Sequence, residues 1–162
     1  MSMVKQALYR QLVNMMEDSL KSLHQSHQET TEGAFHEESR AENDKDTRGL
    51  EAGYLARGLA MRVAEQQEAV NMVRNMELRD FNASDAASLS AWVTLEDEEG
   101  QTADYFIAPA GAGTRLHYEG TDIRVVTPSA PLGKAMIGKY EGDDVALRGP
   151  KGLREFVLVS LQ

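Results

Sequence analysis

The chain has 162 residues, 41% apolar and 27% charged, enough for one ordinary domain or two small ones. Its formal net charge of −9 argues against wrapping duplex nucleic acid, which takes clustered Lys and Arg, and favours a partner with positive surface or a bound cation. Without cysteine there is no disulfide, thiolate zinc site or cysteine nucleophile, and with no signal peptide and no apolar run near membrane-span length the sequence points to the cytoplasm.

From Met3 to about Gln28, Leu8, Leu12, Met15 or Met16, Leu20 and Leu23 recur at helical steps with no Pro or Gly between them. One narrow apolar stripe is the pattern of a helix pairing with a single partner. A second helical pattern runs from Asp46 to about Met76, through Ala52, Leu55, Leu59, Val63, Gln66, Val70 and Val73. Gly49, Gly53 and Gly58 weaken its first half by up to about 1 kcal/mol each, a cost that close backbone approach would offset. The economical reading is an antiparallel helical hairpin, with Met15, Met16, Met61, Met72 and Met76 as seam or interdomain filler. Its connection, Glu29 to Lys45, reads as a polar loop, and between Glu29 and Asp46 there are seven carboxylates (Glu29, Glu32, Glu37, Glu38, Glu42, Asp44, Asp46) against Arg40 and Lys45.

After Asn75 the period alternates. Leu89–Leu95 and Thr102–Ala108 read as strands around an Asp97–Gly100 turn, followed by Arg115–Tyr118, Ile123–Thr127, Val145–Arg148 and Arg154–Leu161. Ser129 reads as the cap of a short helix, with Pro131 in its first turn and Gly138 as its left-handed stop. The expected fold class is α+β: a helical-hairpin (coiled-coil) domain over 1–78, then a small twisted antiparallel sheet domain with one short helix over 79–162. The segment FNASDAAS (81–88) reads as polar linker, and Trp92, Tyr105 and Phe106 as core.

The run Ser129-Ala130-Pro131-Leu132-Gly133-Lys134-Ala135-Met136-Ile137-Gly138-Lys139, followed by Gly142-Asp143-Asp144-Val145, closely resembles the C-terminal signature of the Gre (GreA/GreB) transcript-cleavage factors. The order of elements along essentially the whole chain is similar to theirs, and Asp46–Ala56 resembles a form found in Gre-like relatives. The resemblance implies an FKBP-like C-terminal domain docking on a coiled coil at the rim of the secondary channel of bacterial RNA polymerase. Ser129, Ala130, Pro131, Leu132 and Lys134 would be the polymerase-binding residues. It also implies a monomeric accessory factor, not an enzyme, with no membrane association and no cofactor of its own. Mg2+ would be shared with the polymerase active centre, where the hairpin tip helps cut the 3′ end of backtracked RNA.

The chemistry sets the residue types. A second metal ion must be held near the first so that water attacks a phosphodiester, and magnesium needs only one or two protein carboxylates. Cleavage factors carry an Asp and a Glu three residues apart, the Glu followed by Asn. Glu42-Asn43 matches the second half, while Ser39 stands three residues before it and Glu38 lies one step off register. The candidate catalytic residues are therefore Glu42, Asp44 and Asp46, weighed against a solvated acidic loop. No stable metal site of the chain's own is expected: His24 and His27 share a helical face without a third ligand. Three rival readings stand beside this one. The first is a secondary-channel regulator that competes without cleaving, and the second a hairpin adaptor unconnected with polymerase. The third is an FKBP-like prolyl isomerase, which needs an aromatic pocket built from Trp92, Tyr105, Phe106, Tyr118, Tyr140 and Phe156.

Overall fold

The computed structural model describes residues 2–40 and 47–162, with side-chain surroundings for 2–32 and 50–162. Helices α1 (Met3–Arg40) and α2 (Thr47–Arg74) precede strands β1 (Trp92–Asp97), β2 (Thr102–Ile107), β3 (Arg115–Tyr118) and β4 (Thr121–Val126). Helix α3 (Pro131–Met136) and strands β5 (Asp144–Gly149) and β6 (Gly152–Leu161) complete the order. Two compact units result: Asn14–Val70, and Met1–Val13 together with Asn71–Gln162.

In the helical unit, Met16, Leu20 and Val70 are buried, and Gln66 Nε2 donates to the Met16 carbonyl at 3.3 Å. Helix α1 does not stop near Gln28: it continues to Arg40, so Glu29–Arg40 is helix and not loop. That stretch is polar but holds no proline, and its glutamates are good helix formers, so polarity alone does not break the helix. The seam also differs in detail. Leu55 is 58% exposed while Ala52, Ala56, Leu59 and Val63 are half-buried. Of the methionines, Met16 is buried and Met76 half-buried, whereas Met15, Met61 and Met72 are exposed. A Cβ added at Gly53 or Gly58 would meet nothing within 4 Å, so no close backbone approach offsets these glycines.

In the other unit the six strands form one sheet in the order β3-β4-β2-β1-β6-β5. The expected strands are all present with ends shifted by up to three residues, but the sheet is mixed, because β2 and β4 pair in parallel. Strand β3 overshoots to the sheet edge. The tight turn at Glu119 (φ 44°) and Gly120 (φ 81°) then brings β4 back into the slot beside β2. Residues 81–88 are held against the sheet: Phe81 packs on the core, Ala87 is buried, and the Ala87 N–H donates to the Lys139 carbonyl at 2.8 Å.

Register separates the two apolar faces. Val93, Leu95, Ile107, Val126, Val145 and Leu158 belong to the core that also contains Met136 of α3. Phe106, Val125, Ile123 and Leu116, buried to within 1% of complete, alternate with these residues and point to the opposite face. The first turns of α1 reach this second face. Lys5 is 1% exposed, donates to the carbonyls of Ser90 and Gln162, and lies 5.8 Å from the Phe106 ring and 4.9 Å from Phe81. Gln11 closes the edge of β3, accepting from the His117 N–H at 2.6 Å and donating to the His117 carbonyl at 3.0 Å. Such pairing blunts an edge strand that would otherwise template association.

Burial pushes the Lys5 ammonium down from 10.5 to about 7, partly opposed by the charge of Asp80. The unfolded chain holds this proton up to its ordinary value and the folded chain only to about 7, so between them the unfolded state binds more protons. Stability from this site therefore rises as pH increases from about 7 towards 10, by at most about 1.4 kcal/mol per pH unit. Urea midpoints measured between pH 6.5 and 9 should climb in the wild type, and Lys5→Met should flatten that climb while lowering stability at every pH.

Candidate functional site

Helix α3 is fixed by a close backbone approach. A Cβ on Gly133 would lie 1.9 Å from the Thr127 carbonyl oxygen and 2.8 Å from its carbon, so only glycine lets the helix sit there. Pro131 occupies the first turn, where its missing N–H is not needed, but the cap residue is Ala130 and makes no side-chain cap bond. Ser129, expected as the cap, instead has its hydroxyl 3.2 Å from that of Thr127. At the other end Gly138 has φ 84°, the left-handed stop expected of it, and its N–H donates to the Ala87 carbonyl at 2.9 Å. Met136 is fully buried and anchors the helix in the core.

This seating divides the candidate binding residues. Ala130 and Leu132 are half-buried and line a cleft of about 450 Å³ between α3 and the sheet, together with Tyr105, Leu147, Phe156 and Arg124. Ser129, Pro131 and Lys134 are exposed. The six aromatics of the isomerase reading do not converge on this cleft. Tyr105 and Phe156 line it, whereas Phe106 is buried on the opposite face and Trp92 stands edge-on to Tyr118 at 6.2 Å. Glu42, Asp44 and Asp46 lie outside the described residues. Among the described residues no group of three or more His, Asp or Glu is placed to hold a metal ion.

The place of Tyr105, Arg124 and Arg154 at the cleft was not legible in the sequence, where Tyr105 reads as core and the two arginines only as members of strands. Alternation along each strand marks the side these residues take, but not which strands lie side by side.

The C-terminal model of the transcription elongation factors GreA/GreB matches residues 82–162, half of the chain. The chain belongs to the GreA/GreB family. The matched region covers the whole sheet and α3, with its signature around Gly133. Transcription elongation factor GreA of Maridesulfovibrio salexigens is 29% identical over 135 residues, covering 76% of this chain and 75% of that protein. GreA of Verminephrobacter eiseniae is 26% identical over 103 residues, 62% of this chain and 60% of its own length. The solved GreA factor homolog 1 (Gfh1) of Thermus thermophilus aligns over 96% of this chain and 95% of its own, with 24% identity and a TM-score of 0.39. Among the described residues no helix is long and apolar enough to cross a membrane.

In this family member the Gly133 contact decides the sign of a simple substitution. Gly→Ala in an open helix gains up to about 1 kcal/mol, whereas a clash with backbone costs about 1–3 kcal/mol. Gly133→Ala should therefore lower the urea midpoint, while Lys134→Ala one residue on, exposed, should stay within about 0.5 kcal/mol of wild type.

Proposed function

We propose that this GreA/GreB-family factor binds bacterial RNA polymerase at the rim of its secondary channel and stimulates cleavage of backtracked RNA by the polymerase itself. Family membership carried by residues 82–162 is the observation on which the reading rests. Ser129, Ala130, Pro131, Leu132 and Lys134 supply the docking contacts: Ala130 and Leu132 through the cleft, and Ser129, Pro131 and Lys134 as exposed side chains beside them in sequence. Rigid presentation favours docking, because little side-chain or loop ordering is left to be lost on binding.

The helices serve delivery. At 1.5 Å per residue the 38 residues of α1 extend roughly 57 Å, and a paired helix is thin and stiff enough to enter a channel. Glu42, Asp44 and Asp46 follow directly after α1 in the chain and are the acids that would bring a second Mg2+ to the polymerase's own. The factor lends a ligand and completes no catalytic cycle alone. A second reading, a channel-bound regulator without cleavage, is favoured by one residue: Ser39 stands where cleavage factors carry their Asp.

Gel filtration of the protein with core polymerase should show co-migration. In backtracked complexes, replacing Glu42, Asp44 and Asp46 together by Ala should abolish stimulated cleavage and leave polymerase binding intact. Unchanged cleavage would dismiss the tip acids. A wild type that binds and slows elongation without cleaving would establish the second reading.

A further inference from the structure

The face of the sheet that carries α3 is open beyond the helix, and its chemistry is uneven. Arg115 of β3 and Arg124 of β4 are direct cross-strand partners, and Tyr105 of β2 is next in the same row. Like charges directly opposite one another destabilise strand pairing. Both arginines are exposed, and neither has an ion pair among the described residues. Across the cleft, Arg154 of β6 lies 5.1 Å from the ring of Phe156, and Arg124 and Arg154 both line the cleft with Leu132 and Leu147. A second hollow of about 590 Å³ shares Tyr105 and Arg124 with it and continues past Arg115.

The nearby carboxylates are already engaged. Asp97 accepts from the Glu99 and Gln101 N–H groups, both at 2.9 Å. Asp104 accepts from Trp92 Nε1 at 2.8 Å and Thr94 Oγ1 at 2.6 Å, and Asp122 pairs with His117 Nδ1 at 2.9 Å. A chain of net charge −9 thus presents three guanidinium groups whose hydrogen-bond donors are unused among the described residues. Strands β4 and β6 are three places apart in the sheet, yet Arg124 and Arg154 both line the one cleft, so one bound segment can meet both.

We propose that this face is the binding site for an acidic protein segment, its carboxylates paired with Arg115, Arg124 and Arg154 and an apolar side chain seated between Leu132, Leu147 and Phe156. The proposal rests on the polymerase reading above, the segment being part of polymerase. Guanidinium forks match carboxylates bidentately, and the apolar floor suits a side chain better than a phosphate backbone.

The test measures affinity for core polymerase at 50 and 200 mM salt, using wild type, Arg124→Gln and the triple variant Arg115→Gln, Arg124→Gln, Arg154→Gln. The expected result is salt-sensitive binding in the wild type, weakened at least about 10-fold and made less salt-sensitive in the triple variant, with Arg124→Gln intermediate. Both variants should keep the wild-type urea midpoint or exceed it, since a like-charge pair is removed. Wild-type affinity and salt slope in both variants would overturn the proposal and leave the polymerase reading standing. Absence of binding by the wild type would overturn that reading, and the proposal with it. Unchanged polymerase affinity with lost affinity for a single-stranded RNA oligonucleotide would assign the arginines to nucleic acid and overturn the proposal.

Discussion

A mixed sheet whose side chains are apolar on both faces needs two covers, and this requirement organises the unit around it. One face holds Val93, Leu95, Ile107, Val126, Val145 and Leu158, the other Phe106, Val125, Ile123 and Leu116. Exposing either set would forfeit about 25 cal/mol for each Å² of apolar surface. Helix α3 covers the first. The opening turns of α1 reach the second, with Lys5 buried against Phe106 and Leu8 and Leu12 fully buried. Burying an amine is costly, and the cost is contained because Lys5 donates to two carbonyls, lies beside two rings and is near Asp80.

The cover over the first face also carries the residues proposed to dock. Because α3 rests its backbone on Thr127 and Pro128 through Gly133, the chain around Ser129–Lys134 has a defined position without any side-chain cap. The family signature in this stretch is thus partly architectural: Gly133 allows the contact, Gly138 ends the helix, and Met136 anchors it. What remains for the proposed recognition is the half-buried pair Ala130 and Leu132, their exposed neighbours, and the part of the sheet that a six-residue helix is too short to cover. A short cover leaves a cleft.

Family membership and the proposed activity draw on different parts of the chain. The match spans residues 82–162, which hold the sheet and α3. The proposed cleavage chemistry belongs to acids at positions 42–46, which come after α1 in the chain. The proposed docking and the proposed cleavage therefore draw on separate residues, and Ser39 departs from the cleavage-factor pattern outside the matched region.

What the sequence determined by itself was local. Periods of 3.6 and 2 identify both long helices and all six strands, and the positive-φ turn at Gly138 and the Pro131 start delimit α3, because these signals depend on residues a few positions apart. The polar run after Gln28 misled for the same local reason: polarity by itself does not end a helix, and α1 continues to Arg40. Tertiary structure alone decided that β4 runs parallel to β2, that Lys5 is buried 85 residues from the Ser90 carbonyl it meets, and that Gly133 is required by Thr127. It likewise brought Arg115, Arg124 and Arg154 to one face. Strand order in a sheet is set by which apolar faces can be closed together, a property of the whole chain that no window of sequence contains.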